Sequence, residues 1–307
     1  MDAISRALDA AQKSLPEIQC RQNEPMKDHT SFKIGGPVRA MFFPKSAKEL
    51  TDLCEALYKS GVKPLIIGNG TNLLADDAEL DFIAVKTTGV DDVTLTNATE
   101  ITAGCGILLS KLAVFAQQHG LAGLEFAHGI PGTLGGAILM NAGAYGGEIK
   151  DIVCDTTVFC PENGVVSITG AEHEFSYRQS RFLNTDEVIL SSVLRLTKAN
   201  PAYIRSKMDE LSMRRREAQP LNLPSAGSAF KRPKDGYAAK LIDDAGLKGF
   251  TVGGAQVSEK HAGFIVNHDG ATFADVMAVA GHVREAVQKQ FGIELELEMR
   301  IIRGKGS

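Results

Sequence analysis

Residues 224 to 233, PSAGSAFKRP, place Ser228 among small side chains between two prolines. A serine hydroxyl can attack a substrate or hand it a proton, and its surroundings decide which. The nucleophile elbow, G-x-S-x-G, needs glycine on both sides so that the hydroxyl stands clear on a strained turn. Here Ala226 and Phe230 fill those two positions. None of the seven histidines is spaced to serve as a partner base. The flanks exclude an attacking serine without naming another role.

Three further stretches carry chemistry. FSYRQSRF sets Arg178 and Arg181 close to Tyr177. An arginine beside an aromatic ring is commonly a packed surface pair, but its planar fork also grips both oxygens of a carboxylate. In ELELEMRII (294–302), Leu295, Leu297, Met299 and Ile301 point one way, and Glu294, Glu296, Glu298 and Arg300 the other. This describes a half-buried strand with a charged face. It equally describes a carboxylate and a guanidinium offered to a pocket, with Glu298 orienting or polarising an acidic substrate. MRRRE (213–217) is a basic stripe near a helix end, where arginines complement the helix dipole or meet a phosphate. Lys231 and Lys248 lie in small-residue contexts that tolerate a ligand.

Two glycine clusters stand out, IIGNGTNLL (66–74) and GIPGTLGGA (129–137). Glycine permits positive φ and lets successive N–H groups converge on an anion. The first cluster lacks the Lys-Ser/Thr of a P-loop, and its G-x-G has no third glycine for a dinucleotide fold. The second fits neither pattern. A phosphate-bearing cofactor and a pair of plain turns are equal readings of these two clusters.

The elements that must hold these residues are legible from periodicity. Residues 3–15 read as a helix ended by Pro16. SAKELTDLCEALYKSG reads as a helix with a Ser46–Glu49 capping box and a stripe of Leu50, Leu53, Cys54 and Leu57, closed by Gly61. DFIAVKT, VTLT and EITAG read as strands, LLSKLAVFAQQHG as a helix ending at Gly120, and VVSITG, FSYRQSRF and EVILSSVLRLT as strands again. Asn200-Pro201 punctuates the chain. After it helices are expected at 202–217, 236–245 and 272–290, with strands at GFIVNH and ELELEMRII. The pattern is α+β, with a glycine-rich first two-thirds and a compact last third.

The chain of 307 residues has a formal charge of −4. That balance gives no support to a nucleic-acid or anionic-membrane partner, though a local cluster of arginines and lysines still serves an anionic substrate. Five cysteines form no C-x-x-C pair, no histidine pair has metal-ligand spacing, and no stretch has the length of a spanning helix. A reduced cytosolic setting, no leader segment and no metal are the expectations.

In order along the chain, SFKIGGPV, IIGNGTNLL, GLAGLEFAHGIPGTLGGAILMNAGAYGGEI, SYRQSRF, QPLNLPSAGSAFKRP, AAKLIDDAGLKGFTVGGAQVSEKHAGFIVN and LELEMRIIRG resemble the UDP-N-acetylenolpyruvoylglucosamine reductase (MurB) family in its shorter, type II form. The resemblance covers nearly the whole chain. It implies an α+β fold with a PCMH-type FAD-binding region in residues 1–199, made of an N-terminal helix and two lobes meeting near residue 88. An α+β substrate-binding domain follows in residues 200–307.

FAD is the implied cofactor and NADPH the implied reductant. Gly68, Asn69, Gly70, Thr71 and Asn72 would wrap the FAD pyrophosphate. Gly132, Thr133, Gly135, Gly136 and Gly143 would pack close to the cofactor, and Arg215 and Arg300 would approach flavin or substrate phosphates. The implied reaction is hydride transfer to the enolpyruvyl group of UDP-N-acetylglucosamine enolpyruvate, then protonation to UDP-N-acetylmuramate for peptidoglycan synthesis.

By motif position, Arg178 matches the family arginine at the substrate carboxylate, Ser228 the proton-donating serine, and Glu298 the family glutamate. A carboxylate beside a carboxylate is unfavourable unless it is protonated or faces the arginine, so the expectation is a Glu298 that keeps its proton. Tyr177, Lys231 and Arg232 are the expected substrate contacts, Lys231 at the diphosphate. This chain departs from members that have FKNP, so Arg232 stands where they place an amide. The rival reading is another FAD-linked oxidase or dehydrogenase on the same scaffold. It shares the glycine loops but not the ordered YR, PSAGS and LEMR set.

Overall fold

The computed structural model describes residues 2–234 and 236–304. The chain folds into two compact units, each assembled from separated stretches of sequence. One comprises residues 1–22, 40–69 and 82–213, and the other residues 23–39, 70–81 and 214–307. Each has its own hydrophobic core.

Helices α1 to α5 lie wholly or mostly in the first unit, and local sequence explains their limits. Helix α1 (Ala3–Ser14) is capped by the Asp2 side chain, which accepts from Ser5 N–H at 2.7 Å, and it buries Ile4, Ala7, Leu8 and Ala11. Helix α2 (Ala47–Lys59) buries the expected stripe of Leu50, Leu53, Cys54 and Leu57. Its cap is a variant of the expected box. Ser46 Oγ accepts from Glu49 N–H at 3.1 Å, while the Glu49 carboxylate reaches the N–H of Lys45 at 2.8 Å, one residue before the usual target. Helix α3 (Leu109–Gln118) stops before Gly120, which is left-handed at φ +66°, and α4 (Leu134–Leu139) is a short turn capped by Thr133. Helix α5 (Pro201–Ala218) starts with proline in its first position, where the missing N–H is no loss, and Asn200 Oδ1 accepts from Ala202 N–H at 2.8 Å.

A five-stranded antiparallel sheet lies in the same unit, in the order Gly164–Thr169, Val153–Cys160, Val188–Arg195, Glu100–Gly104, Val93–Leu95. Strand Leu65–Ile67, which delivers the first glycine cluster, pairs in parallel with Leu80–Lys86. In the second unit an antiparallel sheet runs Ser225–Ser228, Phe264–Asn267, Ala255–Val257, Thr251–Val252. Leu73–Ala75 pairs in parallel with Arg300–Ile302. Helix α6 (Ala238–Asp244) and helix α7 (Phe273–Phe291) complete it, the latter with a reciprocal Thr272–Asp275 box and Gly292 at φ +69°. The fold is α+β, as the alternation of periods predicted.

Two expected strands differ. FSYRQSRF is a tight turn, closed by mutual backbone bonds between Ser176 and Gln179 at 3.1 and 3.2 Å. Its mixed aromatic and basic residues mimic alternation, but Ser180 and Arg181 are drawn into side-chain bonds instead. ELELEMRII forms a strand only over Arg300–Ile302. Its alternation holds through buried Leu295 and Met299, then breaks, because Ile302 is buried and Ile301 only half-buried. The break falls where the chain stops following Ala229–Lys231 and joins Leu73–Ala75.

Candidate active site

The two glycine clusters meet. Asn69 Nδ2 donates to the Pro131 carbonyl at 2.7 Å, and a Cβ on Gly68 would lie 2.2 Å from Thr133 Oγ1. Thr133 in turn accepts from Gly136 N–H at 3.4 Å, while Gly135 N–H is taken by the Cys105 carbonyl at 2.8 Å. A Cβ on Gly143 would lie 2.7 Å from Glu148 Cγ. Thus Gly68, Gly135 and Gly143 are glycines because the chain itself packs against them.

The second half of the first cluster has a different character. Gly70 is left-handed at φ +65°, and a Cβ there would stand 2.0 Å from the His29 carbonyl oxygen. Its own carbonyl accepts from Ser31 N–H at 3.1 Å. The N–H groups of Gly70 and Thr71 donate to no acceptor among the described residues, although Gly70 is buried. Buried amides are nearly always paired, so two successive free ones beside a left-handed residue mark a place for an anion. Two residues on, the Asn72 carbonyl accepts from Arg300 N–H at 2.9 Å. The Arg300 guanidinium makes no hydrogen bond or ion pair among the described residues, and burial lowers its pKa from the usual arginine range. Unpaired amides, and a half-buried cation whose backbone is bonded to the same loop, are donors of the kind a diphosphate satisfies. These residues fit the pyrophosphate of FAD.

Arg178 occupies the second corner of the Ser176–Gln179 turn, at φ +56°. That corner favours glycine or asparagine, because a Cβ in the left-handed region costs about 1–2 kcal/mol. An arginine held there is strained in the manner of functional loops. Its Cζ lies 5.2 Å from the centroid of the exposed Tyr177 ring, and Nη2 donates to the Gly143 carbonyl at 3.4 Å. Arg181, equally prominent in the sequence, is committed elsewhere. It grips Glu187 with two bonds, Nε at 3.1 Å and Nη2 at 2.7 Å.

Ser228 ends strand Ser225–Ser228, whose register slips. Ser225 lies opposite Val266 and Ser228 opposite Phe264, so three steps on one strand match two on the other. The extra residue is a bulge containing Gly227 at φ +77°. Val266 and Phe264 share a face, and the bulge therefore places both serines on that face, where a regular strand would separate them. The two hydroxyls then diverge in use. Ser225 Oγ accepts from Gly227 N–H at 3.4 Å, and the Ser225 carbonyl accepts from Ser31 Oγ at 2.6 Å. Ser228 Oγ, half-buried, bonds to nothing among the described residues, and no histidine reaches it. His261, whose pKa burial lowers, instead accepts from Gly263 N–H at 3.2 Å.

The Glu298 segment runs alongside. Glu298 N–H donates to the Ala229 carbonyl at 2.9 Å, and its own carbonyl accepts from Asn72 Nδ2 at 3.2 Å. Asn72, expected at the cofactor, therefore also fixes Glu298. Lys231 Nζ lies 3.0 Å from Glu296, and Arg232 stacks 4.0 Å over the Tyr237 ring and donates to the Gly236 carbonyl at 3.2 Å. Arg215 lies in the last turn of α5.

Sequence reasoning missed three residues. Asn141, inside NAGAYGG, is buried at φ +40° and makes three side-chain bonds. Ser31 anchors the Ser225 strand. Gln219 Oε1 is buried with no partner among the described residues, in the segment leading to Ser225. A polar residue inside a glycine-rich loop was the available signal for Asn141. None existed for Gln219, or for Ser31, whose partner lies 194 positions away.

Two family models match the chain: an FAD binding domain over residues 38–170 and the UDP-N-acetylenolpyruvoylglucosamine reductase C-terminal domain over residues 219–302. A UDP-N-acetylenolpyruvoylglucosamine reductase from Caldanaerobacter subterraneus subsp. tengcongensis is 46% identical over 298 residues, covering 97% of this chain and 98% of that protein. One from Limosilactobacillus reuteri is 42% identical, covering 94% and 96%. The crystal structure of UDP-N-acetylenolpyruvylglucosamine reductase (MurB) from Thermus caldophilus superposes with a TM-score of 0.79 at 31% identity, over 93% of this chain and 99% of that one. The ordered arginine turn, bulged serine strand and glutamate segment thus stand in a chain that belongs to the UDP-N-acetylenolpyruvoylglucosamine reductase family.

Proposed function

We propose that this protein reduces UDP-N-acetylglucosamine enolpyruvate to UDP-N-acetylmuramate with electrons from NADPH, in the cytosol, as a step in making peptidoglycan precursors. The half-buried Ser228 hydroxyl, unbonded within the described chain and on a segment tied to that of Glu298, carries this reading. Bound FAD would supply the hydride chemistry that links NADPH to the methylene carbon of the enolpyruvyl group.

The residues of the chain then have separable tasks. The Gly70 and Thr71 amides and the Arg300 guanidinium would hold the FAD pyrophosphate, and the Asn69 and Thr133 contacts keep the two glycine loops in register. Arg178 binds the substrate carboxylate through its planar fork and opposes the charge that grows on the adjacent carbon. Glu298 hydrogen-bonds the developing enediol. Ser228 Oγ gives its proton to the carbon next to the carboxylate. With no base attached, that hydroxyl stays a donor until a strongly basic carbon forms beside it. Tyr177, Lys231 and Arg232 contact the remainder of the substrate.

Purified protein should show flavin absorbance, bleach on anaerobic addition of NADPH, and recover colour only when the enolpyruvate is added. Rapid recovery with oxygen alone, and none with the enolpyruvate, would identify an oxidase instead.

Arg300→Met tests the cofactor assignment. Losing a charge-assisted bond to phosphate, about 1.5–3 kcal/mol, should weaken FAD retention by roughly tenfold to a hundredfold. The melting temperature of the flavin-free protein should hold or rise, because an unpaired, partly buried charge is replaced by an apolar chain of similar length. Unchanged FAD affinity in a dialysis titration would remove Arg300 from the cofactor site.

A further inference from the structure

We propose that Asn141 is a positioning residue for substrate recognition, acting by locking the strained Arg178 turn. It is only 1% exposed, and the three bonds of its amide run to the surrounding chain rather than outward. Nδ2 donates to Glu148 Oε2 at 2.9 Å and to the Ser176 carbonyl at 2.9 Å, while Oδ1 accepts from Lys150 N–H at 3.0 Å. Two of these partners are acceptors and one is a donor, so the amide has one orientation. An aspartate keeps only the Oδ1 bond.

Both ends of Arg178 lead back to this amide. At the backbone end, Ser176 closes the turn with Gln179, and the Ser176 carbonyl is the atom that Asn141 holds. At the guanidinium end, Nη2 donates to the Gly143 carbonyl. Gly143 pairs with Glu148 in the short hairpin of residues 143–148, and Glu148 is the other group that Asn141 holds. Glu148 also lies 2.9 Å from Lys150, and its pKa is lowered by Lys150 first and by Asn141 and Arg178 after it. It is thus a charged acceptor suited to a neutral amide donor. A left-handed arginine relaxes if its turn is released, and a displacement of about 1 Å in a substrate-binding group costs on the order of a hundredfold in rate.

The inference rests on the reading of Arg178 as the carboxylate-binding group. Its test is a double-mutant cycle with Asn141→Asp and Arg178→Ala, followed by anaerobic stopped flow and by calorimetric binding of UDP-N-acetylmuramate. Asn141→Asp should slow flavin reoxidation by the enolpyruvate at least tenfold and weaken product binding by a similar factor. Flavin reduction by NADPH should stay within about twofold. In the Arg178→Ala background, Asn141→Asp should add less than about twofold to the loss.

If the two losses multiply, Asn141 acts independently of Arg178 and the inference fails. If Arg178→Ala alone keeps normal reoxidation, the reading of Arg178 fails instead. Asn141→Ser serves should the aspartate variant not fold. If neither folds, Asn141 serves the architecture as a whole and the proposal falls.

Discussion

Ser228→Ala should leave flavin reduction by NADPH within about twofold of the parent while slowing flavin reoxidation by the enolpyruvate ~10²- to 10⁴-fold, the usual loss for a placed general acid. The disproportion follows from the structure. Ser228 Oγ contributes no hydrogen bond among the described residues, so its removal disturbs neither the bulge at Gly227 nor the neighbouring Glu298 segment. Alanine at position 228 leaves the backbone register to Phe264 intact. Stopped flow under anaerobic conditions separates the two steps. Equal loss in both, or in neither, would remove Ser228 from proton transfer. Cysteine at the same position offers a graded check, because a thiol keeps a transferable proton at nearly the same place.

Arg178→Gly should divide stability from activity in the opposite way to an ordinary charge deletion. Its left-handed backbone costs about 1–2 kcal/mol with a Cβ present. Glycine removes that strain but loses about 0.5–1 kcal/mol more chain entropy on folding. The lost contacts, among them those with the Tyr177 ring at 5.2 Å and the Gly143 carbonyl at 3.4 Å, work against the gain. With the two effects opposed, stability should change by less than about 2 kcal/mol. Turnover of the enolpyruvate should fall about 10²- to 10³-fold, as for loss of one fixed charge aimed at a developing anion. Thermal melting and steady-state kinetics on one preparation decide it. A large drop in melting temperature with modest kinetic loss would make Arg178 a structural residue.

Much of the molecule was legible before folding was considered. The stripe and the cap of α2 are local events, governed by side chains within four residues of the atoms they satisfy. Strand Glu100–Gly104 begins and ends where the sequence places it. FSYRQSRF and ELELEMRII misled because period alone cannot register a competing long-range partner. Ser180 Oγ prefers the Leu139 carbonyl at 2.8 Å, and Arg300–Ile302 prefers Leu73–Ala75. The same limit applies to the glycines. Sequence marks positions 68 and 70 as places where a side chain is excluded, and only the folded chain shows that Thr133 and the His29 carbonyl do the excluding.

What the sequence determined by itself was the inventory: an α+β chain without a nucleophile elbow, two glycine loops, and an ordered arginine, serine and glutamate whose motifs resemble one reductase family. No described helix is long and apolar enough to cross a membrane. Tertiary structure decided how each member of that inventory is held. By residue type alone Arg181 and Arg178 are alike in FSYRQSRF, and the resemblance favoured Arg178; in the fold Arg181 is bound twice to Glu187 and Arg178 is strained at a turn. Ser225 and Ser228 look alike in PSAGSAFKRP, yet Ser225 is used in holding its strand while the Ser228 hydroxyl remains unclaimed among the described residues. The reason is physical. A polar group's reactivity depends on what already satisfies it, and the group that does so can come from far along the chain, as the Leu139 carbonyl does for the Ser180 hydroxyl across 41 positions.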